Sequence, residues 1–482
     1  MTERESKEIT PKGEDYSQWY LDVVLKAELA DYAPVRGCMV IRPYGYAIWE
    51  AMQADMDRRI KETGHVNAYF PLFVPKHLLE KEKEHVEGFS PECAWVTVGG
   101  GDELEEPLAI RPTSEALICT MYAKWVKSWR DLPVLINQWA NIVRWEKVTR
   151  PFLRTTEFLW QEGHTLHATE AEAEEETMRM LGMYRSFYEE MLAVPVVPGR
   201  KSESEKFAGA LRTYSVEALM GDGKALQGAT SHNLGQRFAK AYGISFLDRD
   251  QQRALPWSTS WGATTRMIGA LIMTHGDDAG LVLPPKVAPY QVVIVPIPPR
   301  KGDWNDAVLP RAREVAATLR GAGVRVHLDD RDTQQPGFKY ADWEMRGVPL
   351  RLEIGQRDLD GNQCVLVRRD TRHKETVPLP GLSPRVAELL AAMQRDLLEK
   401  ARRFLAENTR RVAGYDEFKR VMADTRGFLV APWCGSADCE ARIKQETRAT
   451  VRVIPLDAPP ATGPCVRCGQ AAPAEVYFAQ AY

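Results

Sequence analysis

Apolar positions recur at a helical period in Tyr44–Gly64, where Ile48, Met52 and Met56 fall on one face and Gly64 supplies a stop. The segment VNAYFPLFVP then reads as an extended apolar strand ended by Pro71, and proline confines such a strand to an edge or an interface. Further along, Ile142, Val143 and Trp145 precede a breaker at Thr149, Arg150 and Pro151. An extended pattern resumes from Phe152 to Trp160, which predicts strand, loop, strand. Thr264 to Met273 predicts a helix after a Ser/Thr/Gly-rich approach, placing Arg266 in its first turn.

After Leu283-Pro284-Pro285 the pattern changes. QVVIVPI, VRVHLDD, PLRLEIG and NQCVLVRR are strands; a helix stopped by Gly321 and the helix PGFKYADWEMRG lie between them. This alternation predicts a small, largely parallel α/β domain with helices on both faces. Ser383 caps a further helix with Pro384 in its first turn. Val386, Leu389, Leu390, Met393, Leu397 and Phe404 mark its buried stripe.

At 482 residues the chain is long enough for two to four domains. A hydrophobic share of 44% and a charged share of 27% are ordinary for a globular protein, and no apolar run reaches the roughly 18 residues that span a bilayer. The polar start MTERESKEITPKGEDYSQW lacks the apolar stretch of a signal peptide, which predicts a cytoplasmic protein without a membrane anchor. Net charge is −3, so nucleic-acid binding, if present, is local to one region. Ala168 to Met180 is acidic and Lys400 to Val412 basic, both read as solvated helix faces.

Four of the eight cysteines, Cys38, Cys93, Cys119 and Cys364, stand singly and read as buried small apolar residues. The other four cluster as C-x4-C (Cys434, Cys439) and C-x2-C (Cys465, Cys468) across a 25-residue gap. In a cytoplasmic chain this spacing reads first as a four-thiolate zinc site, with a metal-free group or an iron–sulfur cluster as alternatives.

Arg144 and Glu146 stand two apart in VRWEKVTRPFLRTTEFLWQEGHT, and in a strand they would share one sheet face. A guanidinium grips a phosphate with paired donors, and a carboxylate accepts from an amino group such as that of adenine. An ordinary same-face ion pair has the same spelling. RPTSEALI (Arg111 to Ile118), QGATSHNLG (Gln227 to Gly235) and SWGATTRMIGALIMTHGDD around Arg266 add further segments in a fixed order. With the Pro71 strand they make five ordered motifs over nearly the whole length. On these motifs the chain resembles the class II aminoacyl-tRNA synthetases, and within them the prolyl-tRNA synthetase family of archaeal/eukaryote-like type, whose C-terminal zinc domain closes on a tyrosine, here Tyr482.

The resemblance implies a multidomain α+β and α/β fold: an antiparallel-sheet catalytic domain over 1–286, an α/β anticodon-binding domain with trailing helix over 287–405, and a small C-terminal zinc-binding α/β domain over 406–482. It implies a homodimer formed through the Tyr44–Gly64 helix and Pro71 strand, with Tyr482 packing back towards the catalytic domain. It further implies an ATP-dependent proline–tRNA ligase acting on ATP, L-proline and tRNA(Pro). Arg144 and Arg266 would carry catalysis on the phosphates; Glu146, Arg154, Thr155, Gln227 and Thr230 would complete the ATP site. Thr113, Glu115, Arg144, Trp160, Glu162 and His232 would hold proline, with His164 nearby. Mg²⁺ accompanies ATP, and Glu217 is a candidate ligand; Cys434, Cys439, Cys465 and Cys468 would hold structural Zn²⁺. Lys339, Asp342, Glu344 and Arg346 are candidates for reading the anticodon, or plain surface charges. Only about 95 residues separate His164 from Ser260, too few for the editing insertion of bacterial-type relatives. A synthetase-like paralogue that binds ligand or RNA without charging it, and a synthetase for threonine or another amino acid, are the competing readings.

Overall fold

The computed structural model describes residues 9–85, 92–299, 304–457 and 460–482. The polar segment 1–8 lies outside them. The first unit opens with α1 (Tyr16–Lys26), the hairpin β1 (Ala30–Tyr32) and β2 (Met39–Ile41), α2 (Pro43–Glu62), β3 (Val66–Asn67), β4 (Phe73–Pro75), α3 (Lys76–His85), β5 (Trp95–Gly99), β6 (Asp102–Ile110) and α4 (Glu115–Trp125). There follow β7 (Val134–Val143), β8 (Glu157–His167), α5 (Glu170–Glu190), β9 (Val197–Arg200), β10 (Arg212–Leu219), β11 (Ala225–Gly235), α6 (Arg237–Tyr242), the hairpin β12 (Phe246–Leu247) and β13 (Arg253–Ala254), β14 (Trp257–Thr264) and α7 (Arg266–His275). The second unit comprises β15 (Val292–Pro296), α8 (Val308–Gly321), β16 (Val326–Leu328), α9 (Pro336–Met345), β17 (Leu350–Ile354), α10 (Gln356–Asp360), β18 (Gln363–Arg368), β19 (Lys374–Pro378) and α11 (Leu382–Glu407). The third holds β20 (Thr409–Arg411), α12 (Tyr415–Asp424), β21 (Phe428–Trp433), α13 (Ala437–Thr447), β22 (Thr450–Pro455) and β23 (Ala474–Ala479).

One sheet joins the first and third units, in the order β20-β21-β23-β22-β9-β10-β11-β14-β8-β7-β3. Its centre, β10 to β7, is antiparallel throughout. Side chains alternate between its faces. Along β8, Trp160, Glu162 and His164 line a cavity, whereas the Gln161 amide meets the Tyr184 hydroxyl of α5 at 2.6 Å. Gly163, on the α5 side, lies directly beneath Trp261; a Cβ there would stand 2.1 Å from the indole. The main core sandwiches α1, α2, α5 and α7 against this face, with Ile48, Met52 and Met56 fully buried as the α2 period predicts. Residues 168–256 build α5, three strands of the same sheet, α6 and a small hairpin.

Several local expectations are corrected. VNAYFPLFVP is not one strand. β3 pairs with β7 and β4 with β6, in different sheets, and Pro71 lies in the break between them. β7 ends at Val143, so Arg144 and Glu146 sit in a loop instead of on a sheet face. The extended pattern resumes only at Glu157, because Arg150 and Arg154 close a tight turn with Phe152 at φ +60°.

The second unit's sheet, β16-β15-β17-β18-β19, has two parallel and two antiparallel pairings and is therefore mixed. The single turn of α10 is too short for a crossover, so β18 must return antiparallel. Gly381, at φ +84°, is the α11 N-cap, with Ser383 already inside the helix; left-handed Gly323 ends the turn after α8, whose last residue is Gly321. Cys119 and Cys364 are buried, but Cys38 and Cys93 are half-exposed. Within the acidic face of α5, Glu176 is buried against His65 at 3.1 Å.

Candidate active site

A cavity of about 360 Å³ opens above the centre of the large sheet, and every candidate for the ATP and proline sites, with His164, lines it. β8 and the loop before it deliver one wall, β11 and β14 the other, and α7 closes one end with Arg266 as its first residue. That helix start is itself an attractive place for anions.

Arg144, Arg154 and Arg266 converge at this end. The Arg144 Nε donates to the Pro112 carbonyl at 3.1 Å, and its guanidinium lies 5.7 and 5.9 Å from the Phe158 and Trp160 rings. Arg266 is held likewise, its Nε donating to the Leu153 carbonyl at 3.1 Å. Each arginine thus spends one donor on the backbone and keeps its terminal nitrogens for a ligand. Arg144 is open to solvent through the cavity mouth yet ringed by protein; this crowding lowers the pKa of both Arg144 and Arg266, and both stay charged. Glu146 pairs with Arg154 at 3.1 Å, and Thr155 donates to the Glu157 carbonyl at 2.6 Å, which shapes the loop.

The other end is acidic and aromatic. Thr113 donates to Glu115, the first residue of α4. Glu162 accepts from Ser114 and from Gln138 Nε2 at 2.7 Å, and meets His164 Nε2 at 2.8 Å. Burial alone would push the Glu162 pKa up, but these donors outweigh it and hold the carboxyl below its ordinary range. Burial likewise opposes charge on His164, yet Glu162 prevails and raises its pKa. His232 differs: burial, with a smaller contribution from His164, depresses it to about 3, so it is neutral. Its Nδ1 lies 3.0 Å from the Thr213 hydroxyl and its ring 4.8 Å from that of Phe207.

Gln138, Ser114, Thr213 and Phe207 were not singled out from the sequence. Ser114 sits inside the quoted RPTSEALI, but the other three lack a motif. Gln138 also accepts from the Phe70 backbone at 2.6 Å, so the Pro71 segment braces Glu162 from behind. Glu217 is no free metal ligand: buried, it accepts from Lys201 Nζ at 2.7 Å and from Arg452 Nη2 at 3.0 Å. In the second unit Lys339 and Asp342 are buried, and Lys339 donates to the Asp329 carbonyl, which makes them structural and not surface readers. A basic cavity of about 260 Å³ lies instead between Trp343, Glu344, Arg351, Arg369 and Arg372.

The ligand atoms of Cys434, Cys439, Cys465 and Cys468 all lie within 4.8 Å of one another. Two thiolates about 2.3 Å from one tetrahedral centre stand about 3.8 Å apart, and the Cys439 and Cys465 sulfurs are 3.7 Å apart. The group fits a single metal ion. Left-handed Gly435 and Gly469 follow Cys434 and Cys468 and turn the chain back at both halves of the site. Tyr482 packs on the main core, its ring under Lys224 Nζ at 4.9 Å and Arg150 at 5.7 Å.

The chain is 58% identical over 478 residues to the "Proline--tRNA ligase" of Natranaerobius thermophilus, covering 99% of this chain and 98% of the relative. It belongs to the prolyl-tRNA synthetase family. A second family member, "Proline--tRNA ligase 2" of Clostridioides difficile, is 56% identical over 99% of this chain and 98% of its own. Family profiles match "tRNA synthetase class II core domain (G, H, P, S and T)" over residues 95–275, "Anticodon binding domain" over 291–389 and "Prolyl-tRNA synthetase, C-terminal" over 415–482. The crystal structure of the Cryptosporidium parvum prolyl-tRNA synthetase, complexed with halofuginone and AMPPNP, superposes with a TM-score of 0.95 at 44% identity, covering 99% of this chain and all of that one. The fold is thus that of a class II synthetase core with anticodon-binding and C-terminal units.

Proposed function

We infer that this protein is a proline–tRNA ligase, which activates L-proline with ATP and transfers the prolyl group to the 3′ end of tRNA(Pro). The observation that carries the reading is the polarity of the central cavity, with three guanidiniums at one end and a carboxylate-lined aromatic pocket at the other. In the first step the proline carboxylate oxygen attacks the α-phosphorus, the bond to the bridging oxygen breaks, and pyrophosphate leaves. A terminal hydroxyl of the tRNA then attacks the prolyl carbonyl, and AMP leaves. Neither step needs a protein nucleophile; the chain supplies positioning and charge.

On this reading Arg144 holds the α-phosphate together with the proline carboxylate, and Arg266 takes the γ-phosphate end. Glu146 accepts from the adenine amino group; Arg154, Thr155, Gln227 and Thr230 complete the nucleotide site. Glu115, set by Thr113, and the anionic Glu162 answer the secondary ammonium of proline, while Trp160 and the neutral His232 wall the ring. Mg²⁺ bound with ATP would neutralise triphosphate charge. The four cysteines would hold Zn²⁺ as a closed, structural site, since thiolates suit zinc and leave no open position.

The domain reading assigns catalysis to 1–286, anticodon binding to 287–405 and a metal-stabilised unit to 406–482. The basic cavity around Arg351 offers stacking and paired donors for a nucleobase. Exposed Val66, Tyr69, Phe73 and Trp95 support a homodimer through the Pro71 region. The ligase reading implies a cytoplasmic enzyme; among the described residues no helix is long and apolar enough to cross a membrane. Amino-acid-dependent ATP–pyrophosphate exchange with all twenty amino acids tests the inference. Proline-dependent exchange supports it; exchange with none, or with another amino acid only, overturns it.

A further inference from the structure

The loop 201–211 links β9 to β10 and contributes Glu205 and Phe207 to the amino-acid end of the cavity. Little apolar packing holds its first half. Lys201 ties it to β10, its N donating to the Thr213 carbonyl at 2.8 Å and its Nζ to Glu217 Oε1 at 2.7 Å, and the remaining fixings come from the third unit. Ser202 Oγ donates to Glu440 Oε1 of α13 at 3.0 Å, and the same oxygen accepts from the Val451 backbone at 3.3 Å. Lys201 Nζ donates to the Arg452 carbonyl at 3.1 Å, and Lys444 stands 3.6 Å from Glu205. Beneath the loop β22 pairs with β9, so tightly that a Cβ on Gly199 would stand 2.6 Å from the Ile454 carbonyl oxygen.

From Ser202 a continuous path leads to the cavity. Its carbonyl accepts from the backbone of Glu205 at 3.2 Å and of Lys206 at 3.0 Å, which forms the turn. Phe207 N then donates to the Thr213 hydroxyl at 3.0 Å, the group that meets His232 Nδ1. Phe207 itself lies on the His232 ring. Glu440 is therefore connected, through one loop, to the two rings that wall the amino-acid end.

We propose that Glu440 of the C-terminal unit is a positioning residue for the amino-acid pocket: it holds the 202–207 turn so that Phe207 and His232 stay at the spacing the substrate ring requires. This deepens the proline-activation reading of the cavity and rests on it. The ATP end is fixed separately, by backbone acceptors at Pro112 and Leu153. The expected signature is therefore a selective effect on the amino acid.

The test measures KM for proline and for ATP, with kcat, in pyrophosphate exchange by the full-length protein carrying Glu440→Ala, Glu440→Gln or Ser202→Ala. A lost bond to a charged acceptor corresponds to about a tenfold change. Glu440→Ala and Ser202→Ala are expected to raise KM for proline about five- to tenfold, leaving kcat and the KM for ATP within twofold. Glu440→Gln, which keeps an acceptor oxygen, is expected to recover most of the loss. Limited trypsin cleavage after Lys206 should be faster in Glu440→Ala and Ser202→Ala than in wild type. Unchanged proline KM in both variants, or an equal rise in both Michaelis constants, overturns the proposal. Ser202→Ala removes only a loop hydroxyl, so it decides the matter should Glu440→Ala fail to fold. If the wild type itself shows no proline-dependent exchange, the ligase reading falls, and cleavage after Lys206 then decides the loop's anchoring on its own: equal rates in all variants overturn it.

Discussion

Replacing Arg144 separates charge from geometry. Its Nε is spent on the Pro112 carbonyl and its plane is flanked by Phe158 and Trp160, so the two terminal nitrogens are aimed by three neighbours. Arg144→Ala removes a pre-aimed cation from the point where charge builds on the α-phosphorus, an effect of about 3–4 kcal/mol, or a 10²- to 10³-fold loss in kcat. Arg144→Lys keeps the charge but loses the backbone anchor and the fork. Losing one charge-assisted contact is worth about 1.5–3 kcal/mol, roughly ten- to a hundredfold. Because the side chain projects into a solvent-open cavity, stability should change by no more than about 0.5 kcal/mol. Steady-state exchange, with saturation by ATP and proline in turn, reads kcat and both Michaelis constants; a thermal melt controls for folding. Arg144→Lys retaining over half the wild-type kcat, or Arg144→Ala altering KM alone, would refute the assigned role.

The His164–Glu162 pair gives a pH signature. The folded His164 pKa lies above its ordinary 6.5, so its stabilisation is complete below about pH 6.5 and disappears as pH rises through the raised value. The wild type's advantage over His164→Gln in urea unfolding should shrink between neutral and alkaline pH, and a difference constant from pH 5 to 9 contradicts this. Gly163→Ala places a methyl against Trp261 at 2.1 Å and should destabilise by about 1–3 kcal/mol; an unshifted denaturation midpoint would show that the indole moves aside. Chelation that strips metal, or Cys439→Ser, should leave the region after about residue 406 sensitive to protease, with metal analysis finding one zinc per chain in untreated protein; unchanged resistance after verified metal loss dismisses the structural role. Because side-chain size alone discriminates between apolar amino acids by only about 1–3 kcal/mol, alanine should be measurably activated and Ala-tRNA not hydrolysed by this protein; rapid hydrolysis would be the contrary result.

Much of the cavity was readable from spelling, because its residues come in short runs whose order is itself a signal: Thr113 with Glu115, Arg144 with Glu146, Gln227 with Thr230. Their side-chain directions were less legible. Arg144 and Glu146 share the cavity as neighbours in a loop, since the period-2 pattern ends one residue earlier, at Val143. Lys339, Asp342 and Glu217 look like available charges in a sequence and are buried in ion pairs with Asp329, Arg331, Lys201 and Arg452. These partners are distant or non-periodic, and nothing local announces them. The same holds for Gln138, whose task is to connect Phe70 to Glu162. The parallel expectation for the second unit failed on a length: five residues of α10 cannot cross a sheet.

The pairing of β22 with β9 also governs how the molecule comes apart. Backbone hydrogen bonds run unbroken from β20 to β3, so the four-cysteine unit and the first unit share one cooperative lattice. The α/β unit has a sheet of its own and meets the first unit through contacts such as Arg369–Asp277 and Arg346–Glu28. Heat should therefore melt residues near the two ends of the chain's covalent order together, while the stretch between them keeps its own transition. Slow amide exchange in Phe428–Trp433 would then report on the solidity of a pocket whose last lining residue, Arg266, lies well over a hundred residues upstream.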